Sequence, residues 1–292
     1  GLHAETQPLL DEAFTIPQEL LGPTHHDVAA SATALARNLA NTGGYARAEE
    51  LHRETLRIQR ALHDDDHPPL VASMETLGHF LARKGDLQAA DTLYREALAM
   101  HRRLPANDDR LASLLDGHAF VLDYLGDYDG AEALHRESLA LVERRLPGDS
   151  LVLSVALNNL ALVLSSKANF AEAEPMLRRA LRIGRLYYGR DHPYISSILT
   201  NLGRVLRNTG RLDEAEGMFR ESLAITRARL GPAHADVATD LGFIAGILVE
   251  RGRLAEAEAM EREALAIRRK ALGPQHAYVA MSLNELAGSL QA

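Results

Sequence analysis

Apolar residues recur along this chain at helical spacing, in paired runs. Ahead of Gly210, Leu202, Val205 and Leu206 fall at i, i+3 and i+4, one face of a 3.6-residue period. Gly210 then suits the left-handed position that closes a helix. A second run, predicted over about 213–229, sets Ala215, Met218, Phe219, Ser222, Leu223 and Ile225 on one side. Small residues at 215 and 222 permit close approach of the two helices. The predicted unit is a helical hairpin with one apolar side that only a neighbouring hairpin covers.

The unit repeats. Turn glycines stand at Gly43, Gly85, Gly126, Gly210 and Gly252, and Ala168 holds the place between the third and fourth of these, so the spacing is 42 residues, once 41. Each is followed by a similar phrase: "GGYARAEEL", "GDLQAADTL", "GDYDGAEAL", "ANFAEAEPM", "GRLDEAEGM", "GRLAEAEAM". The copies run over about 22–62, 63–104, 105–146, 147–188, 189–230 and 231–272, with half repeats at 1–21 and 273–292. The short third copy lost its residue near "PANDDRL". The expected organisation is one solenoid over 1–292, and its half-repeat ends suggest a piece of a longer array.

Composition narrows the function classes. Apolar residues make up 46% of the 292, enough for an extensive core, and aromatics only 5%. The net charge of −8 argues against sequence-independent nucleic-acid binding, which needs a basic surface. The lack of cysteine removes disulfides, thiolate zinc sites and cysteine nucleophiles, and fits a cytoplasmic protein. No apolar run approaches the roughly 18 residues of a membrane span, and the first residues show no signal-peptide pattern.

The helix–glycine turn–helix phrase resembles the tetratricopeptide repeat, whose usual period is about 34 residues. The longer period, with its extra residues around the joint "LGxxHxxVA", is similar to the kinesin light chain type of that repeat. The fourth copy carries the resemblance furthest, with "LNNLALVLSSKANFAEAEPMLRRALRI" followed by "GRDHP". The resemblance covers essentially the whole chain and implies an all-α superhelical solenoid of the kind bacteria and eukaryotes both use. It implies a concave face lined by the first helix of each hairpin. It also implies a peptide contact at the family's asparagine, matched by Asn159 and Asn201; Ala34, Thr76, Gly117 and Phe243 depart from it. The lysine-and-asparagine carboxylate clamp of chaperone-binding members is not recognisable, so a chaperone-tail cochaperone is not expected.

The joints place His25, His67, His192, His234 and His276 in one slot, which Asp108 and Ser150 fill in the other copies. Stacked hairpins separate such residues by roughly 10 Å, too far to share a metal ion with ligands about 2 Å away. Histidine, aspartate and serine all accept from backbone N–H groups at a helix start, which is the expected role. The pair His25–His26 is likewise not expected to hold metal. No phosphate-binding, dinucleotide, zinc-hydrolase or nucleophile-elbow motif occurs, so neither an enzyme nor a cofactor is expected. Glu172/Glu174 and Glu256/Glu258 read as dipole-favoured acids at the start of the second helices. Arg227, Arg229, Arg268 and Arg269 read as solvated or dipole-matched.

The first-helix positions predicted to face inward do not repeat, as expected of residues that meet a ligand. The candidates are Arg37, Asn41, His79, Arg83, Phe120, Tyr124, Asn158, Asn159, Asn201, Arg204, Arg207 and Asn208. Arginine forks and asparagine amides suit carboxylates and extended backbones. Phe120 and Tyr124 are expected to add an apolar pocket beside the fifth copy. The resulting expectation is a non-enzymatic scaffold that holds a peptide segment of a partner protein in its groove, with carboxylate-bearing segments as the ligand class the arginines suit. The rival reading is a sensor or regulatory arm of a larger protein bearing a protease, kinase or nucleotide-switch domain. A weaker one is self-assembly through the unfinished ends.

Overall fold

The computed structural model describes residues 2–63, 66–105 and 108–291, which are helices joined by short turns. In chain order the helices are α1 (Leu2–Leu21), α2 (His26–Thr42), α3 (Tyr45–Leu62), α4 (Pro68–Lys84), α5 (Leu87–His101), α6 (Asp108–Leu125) and α7 (Tyr128–Arg145). There follow α8 (Leu151–Ser166), α9 (Phe170–Tyr188), α10 (Pro193–Asn208), α11 (Leu212–Leu230), α12 (Ala235–Glu250), α13 (Leu254–Leu272) and α14 (Ala277–Gln291). They form two compact units, Gly1–Leu141 and Val142–Ala292. Within each unit the helices pack as consecutive antiparallel hairpins, each against the next, so the fold class is the expected all-α repeat solenoid.

The turns follow the glycines. Gly43 and Gly85 take φ of +90° and +96°, a left-handed geometry that costs a glycine little. Ala168 takes the same position at φ +57°, the one non-glycine with positive φ among the described residues. It keeps the turn despite the Cβ penalty.

Packing explains the small residues. Ala48, Ala90, Ala131, Ala173, Ala215 and Ala257, one per copy, are fully buried where the second helix meets the first. Two turns further on, Thr55, Ala97, Ser138, Ala180, Ser222 and Ala264 are buried as well. Between them sits a large residue, and its partner on the first helix is matched to it. Tyr94 and Phe219 face Gly78 and Gly203, and a Cβ on Gly203 would lie 2.7 Å from the Phe219 ring. The smaller His52 and Leu177 occupy the same slot where the first helix carries Ala36 and Ala161. Each buried leucine or isoleucine of this stack contributes about 1.5–3 kcal/mol by leaving water.

Charged residues join consecutive second helices. Arg60 binds Glu96 at 2.8 Å, Arg102 binds Glu137 at 2.9 Å, Arg185 binds Glu221 at 2.6 Å and Arg227 binds Glu263 at 2.6 Å. In the fourth copy the signs are exchanged, with Arg179 meeting Glu143 at 3.4 Å. This corrects the reading of the late arginines as solvated or dipole-matched. Arg227 belongs to the ladder, and Arg229 donates to the Asp191 carbonyl at 2.7 Å. Arg268 is buried and donates to Ser282 at 2.5 Å. The early acids are engaged too: Glu174 accepts from Arg178 at 2.8 Å and from Arg211, in the next turn, at 2.6 Å.

The joint histidines act on their own helices. The Nδ1 atoms of His25, His192, His234 and His276 each accept from the backbone N–H two residues on, at 3.2 Å. Ser150 Oγ caps in its place, accepting from the Leu153 N–H three residues on at 3.1 Å. His67 departs from the pattern: it sits at the N-cap without a capping bond and stacks on His63, ring centroids 3.6 Å apart. The side chain of Asp108 lies outside the described residues.

Candidate functional site

In the first unit, α2, α4 and α6 bring five candidates together. Arg37, His79, Arg83 and Phe120 line a cavity of about 590 Å³ whose other walls include Glu75, Thr76, Arg110, Ser113 and Asp116. An adjoining cavity of about 320 Å³ shares Arg37, Thr76, His79 and Arg83 and adds Asn41 and Tyr45. Its floor includes His52, whose imidazole is held down to about 4 by burial and by the charge of Arg37. Gly117 leaves room for the Tyr94 hydroxyl, since a Cβ there would lie 2.5 Å from that oxygen.

The acids of this site are already satisfied. Glu75 is bound by Arg110 and accepts from Ser113 at 2.5 Å. Asp116 meets His135 Nδ1 at 2.9 Å. Lys84, at the margin, is bound to Glu49, whose carboxyl that hydrogen bond holds below the usual range. Among the described residues Arg37 and Arg83 have no ion-pair partner, and both are exposed. Two uncommitted guanidinium groups therefore dominate the charge of the surface. Phe120 and Tyr124, in the first unit, pack with ring centroids 4.7 Å apart and planes tilted, at 46% and 65% exposure.

In the second unit the candidates are mostly tied to one another. Asn201 donates to Asn158 at 3.0 Å, and Asn158 is buried. Arg207 binds Glu250 at 2.5 Å and lies across Gly246, where a side chain would meet its guanidinium at 3.2 Å. Asn208 donates to the Arg204 carbonyl of its own helix at 2.8 Å. Asn159 is half-buried, and Arg204 is exposed.

Sequence reasoning missed Asp240. It is 4% exposed and lines a cavity of about 340 Å³ with Ser196, Thr200, Asn201, Thr226, Asp236 and others. Its repeat column carries Ser31, Ser73, Leu114, Ala156, Ile198 and Ser282 in the other copies, so the single charge in an otherwise uncharged column was the available signal. Elsewhere, His25, His26 and Asp27 bring three ligand-type atoms within 4.8 Å of one another. His25 Nδ1 there is engaged by the Asp27 N–H.

A family model, the tetratricopeptide repeat, matches in overlapping segments from residue 1 to residue 270: 1–61, 39–103, 70–144, 109–185, 152–228 and 194–270. The chain belongs to the tetratricopeptide repeat family. Comparison with curated proteins finds no match. Among solved structures, BtubC (BKLC) from P. vanneervenii is similar at TM-score 0.61 and 22% identity, covering 91% of this chain and 93% of that one. The kinesin-light-chain-like protein of P. anserina, with nearly identical TPR-like repeats, is similar at TM-score 0.59 and 21% identity, over 70% of this chain and 98% of that one. The Cut9–Hcn1 hetero-tetramer of the APC/C contains a chain similar at TM-score 0.68 and 18% identity, covering 99% of this chain and 47% of that one. At these identities the likeness shows the fold alone, a helical repeat solenoid like those of kinesin-light-chain-like proteins, and the repeat family to which the chain belongs is in general a scaffold for protein interaction. No helix of the described residues is long and apolar enough to cross a membrane.

Proposed function

We propose that this chain is a non-enzymatic, cytoplasmic interaction scaffold whose first-helix face holds a carboxylate-bearing segment of a partner protein. The observation that carries this is the pair Arg37 and Arg83, exposed on one continuous surface where every neighbouring acid has a partner within the fold. A guanidinium forks two hydrogen bonds onto a carboxylate, and Asn41 and Thr76 on the same walls suit the backbone of an extended peptide. Phe120 adds apolar area at one margin. The contrast between columns supports the same reading. Buried columns recur from copy to copy, as packing requires, whereas Arg37, His79, Phe120, Leu162, Arg204 and Gly246 share one column and no common chemistry.

Selection of displayed peptides on the 292-residue chain tests this, with Arg37→Glu/Arg83→Glu as counter-screen. The expected result is a consensus with at least one Asp, Glu or C-terminal carboxylate, weakened about a hundredfold by the double charge reversal. That fold-change corresponds to about 3 kcal/mol for two charge-assisted contacts. A consensus bound equally by the variant sinks the assignment of the surface.

A further inference from the structure

Asp240 is an anomaly inside a regular scaffold. Its column is serine, leucine, alanine or isoleucine in every other copy, never charged, yet α12 places a carboxylate there at 4% exposure. Oδ1 accepts from Ser222 at 2.9 Å and from Thr200 at 3.4 Å, and Oδ2 accepts from Thr226 at 2.8 Å. Ser196 extends the cluster, lying 2.8 Å from Ser222 and 3.0 Å from Thr226. No Lys, Arg or His pairs with Asp240 among the described residues. The cationic residue on the cavity wall, Arg229, is held by the Asp191 carbonyl at 2.7 Å. A second acid, Asp236, stands on the same wall and adds repulsion.

A buried carboxylate without a counter-charge is costly, and this one lines an open cavity of about 340 Å³ rather than sealed core. We propose that this cavity is a subsite for a primary ammonium, the side chain of a lysine in a partner protein. The hydrogen-bond arithmetic selects the ammonium. Each carboxylate oxygen accepts about two bonds, so Oδ1 is filled and Oδ2 keeps one position. The hydroxyls of Ser196 and Thr200 retain lone pairs while donating inward. An ammonium offers three donors and no acceptor and meets this set point by point. A guanidinium needs both carboxylate oxygens for its fork, and here both are engaged. Burial raises the affinity of Asp240 for a proton, and a bound ammonium would lower it again by supplying the missing positive charge.

The proposal extends the peptide-binding reading, but its test uses no peptide, so the two stand or fall separately. The full chain, methyl-labelled at isoleucine and threonine, is titrated with n-butylammonium chloride, n-butanol and n-propylguanidinium chloride at matched ionic strength. The expected result is saturable displacement of the Ile225 and Thr226 methyl signals by n-butylammonium, with a Kd on the order of 1–10 mM, in keeping with so small a ligand. The other two compounds bind at least about tenfold more weakly, and so does n-butylammonium to Asp240→Asn. Absence of saturable shifts, equal binding of the alcohol or of the guanidinium, or an unchanged Kd in a folded Asp240→Asn each overturns the proposal. Should Asp240→Asn fail to fold, the comparison of the three compounds on the unaltered chain decides the matter.

Discussion

His52 shows how a single buried side chain sets a response of the fold. The ring is 5% exposed, and burial with the nearby Arg37 charge holds its pKa at about 4, against 6.5 when free. Between those values the unfolded chain binds a proton that the native one refuses. Stability is therefore fully present above about pH 6.5 and declines as pH falls toward 4, by about 2 kcal/mol at pH 5 for this group alone. The variant His52→Leu recreates a combination the chain already uses, Leu177 facing Ala161, because His52 faces Ala36. Urea unfolding at pH 5 and pH 7 is expected to show a smaller loss on acidification in His52→Leu than in the parent. His118, whose pKa burial also lowers against the pull of Asp91, leaves a residual slope. An identical acid limb in parent and variant would remove His52 from this role.

At the scale of elements, register is held by pairs that no single helix reveals. Arginine recurs at positions 60, 102, 185, 227 and 269, with glutamate at 143, and the facing column reads Glu96, Glu137, Arg179, Glu221 and Glu263. The exchange of sign at Glu143 and Arg179 leaves that contact attractive. Glu143→Arg alone is expected to lower stability by about 0.5–1 kcal/mol, and Glu143→Arg/Arg179→Glu to recover most of it, since exposed pairs are worth that much. The coupling should fade in about 1 M salt as screening shortens to about 3 Å. A double variant no better than the single one would mean that the pair does not couple. The helices themselves were legible from apolar period, turn glycines and the capping slot, which are local signals. The ladder was not, because its partners lie 36 residues apart and emerge only when columns of neighbouring copies are compared. The same comparison exposes Asp240, hidden when its helix is read alone as one apolar face. Arg37 and Arg83 were legible as inward positions, but their freedom from partners was not. It depends on Arg110 and His135, from the neighbouring hairpin, satisfying Glu75 and Asp116.

For the molecule as a whole, contacts within each unit run between helices adjacent in sequence, with few between alternate ones. Such a structure has little long-range tension, and its stability is close to a sum of hairpin terms and neighbour interfaces. A defect should then stay where it is made. Gly203→Val drives a branched side chain into the Phe219 ring, where even a Cβ would lie only 2.7 Å away. The cost of such overpacking is about 1–3 kcal/mol. Native-state hydrogen exchange is expected to show faster amides across α10 and α11, a smaller effect in α9 and α12, and unchanged protection in α2 to α4. The result matters for binding as well as for stability. If protection fell evenly from α2 to α13, the chain would behave as one cooperative body, and a ligand seated on Arg37 and Arg83 would stabilise the Asp240 cavity as well. If the loss stays local, the arginine surface and the ammonium subsite are thermodynamically separate, and filling one leaves the affinity of the other unchanged.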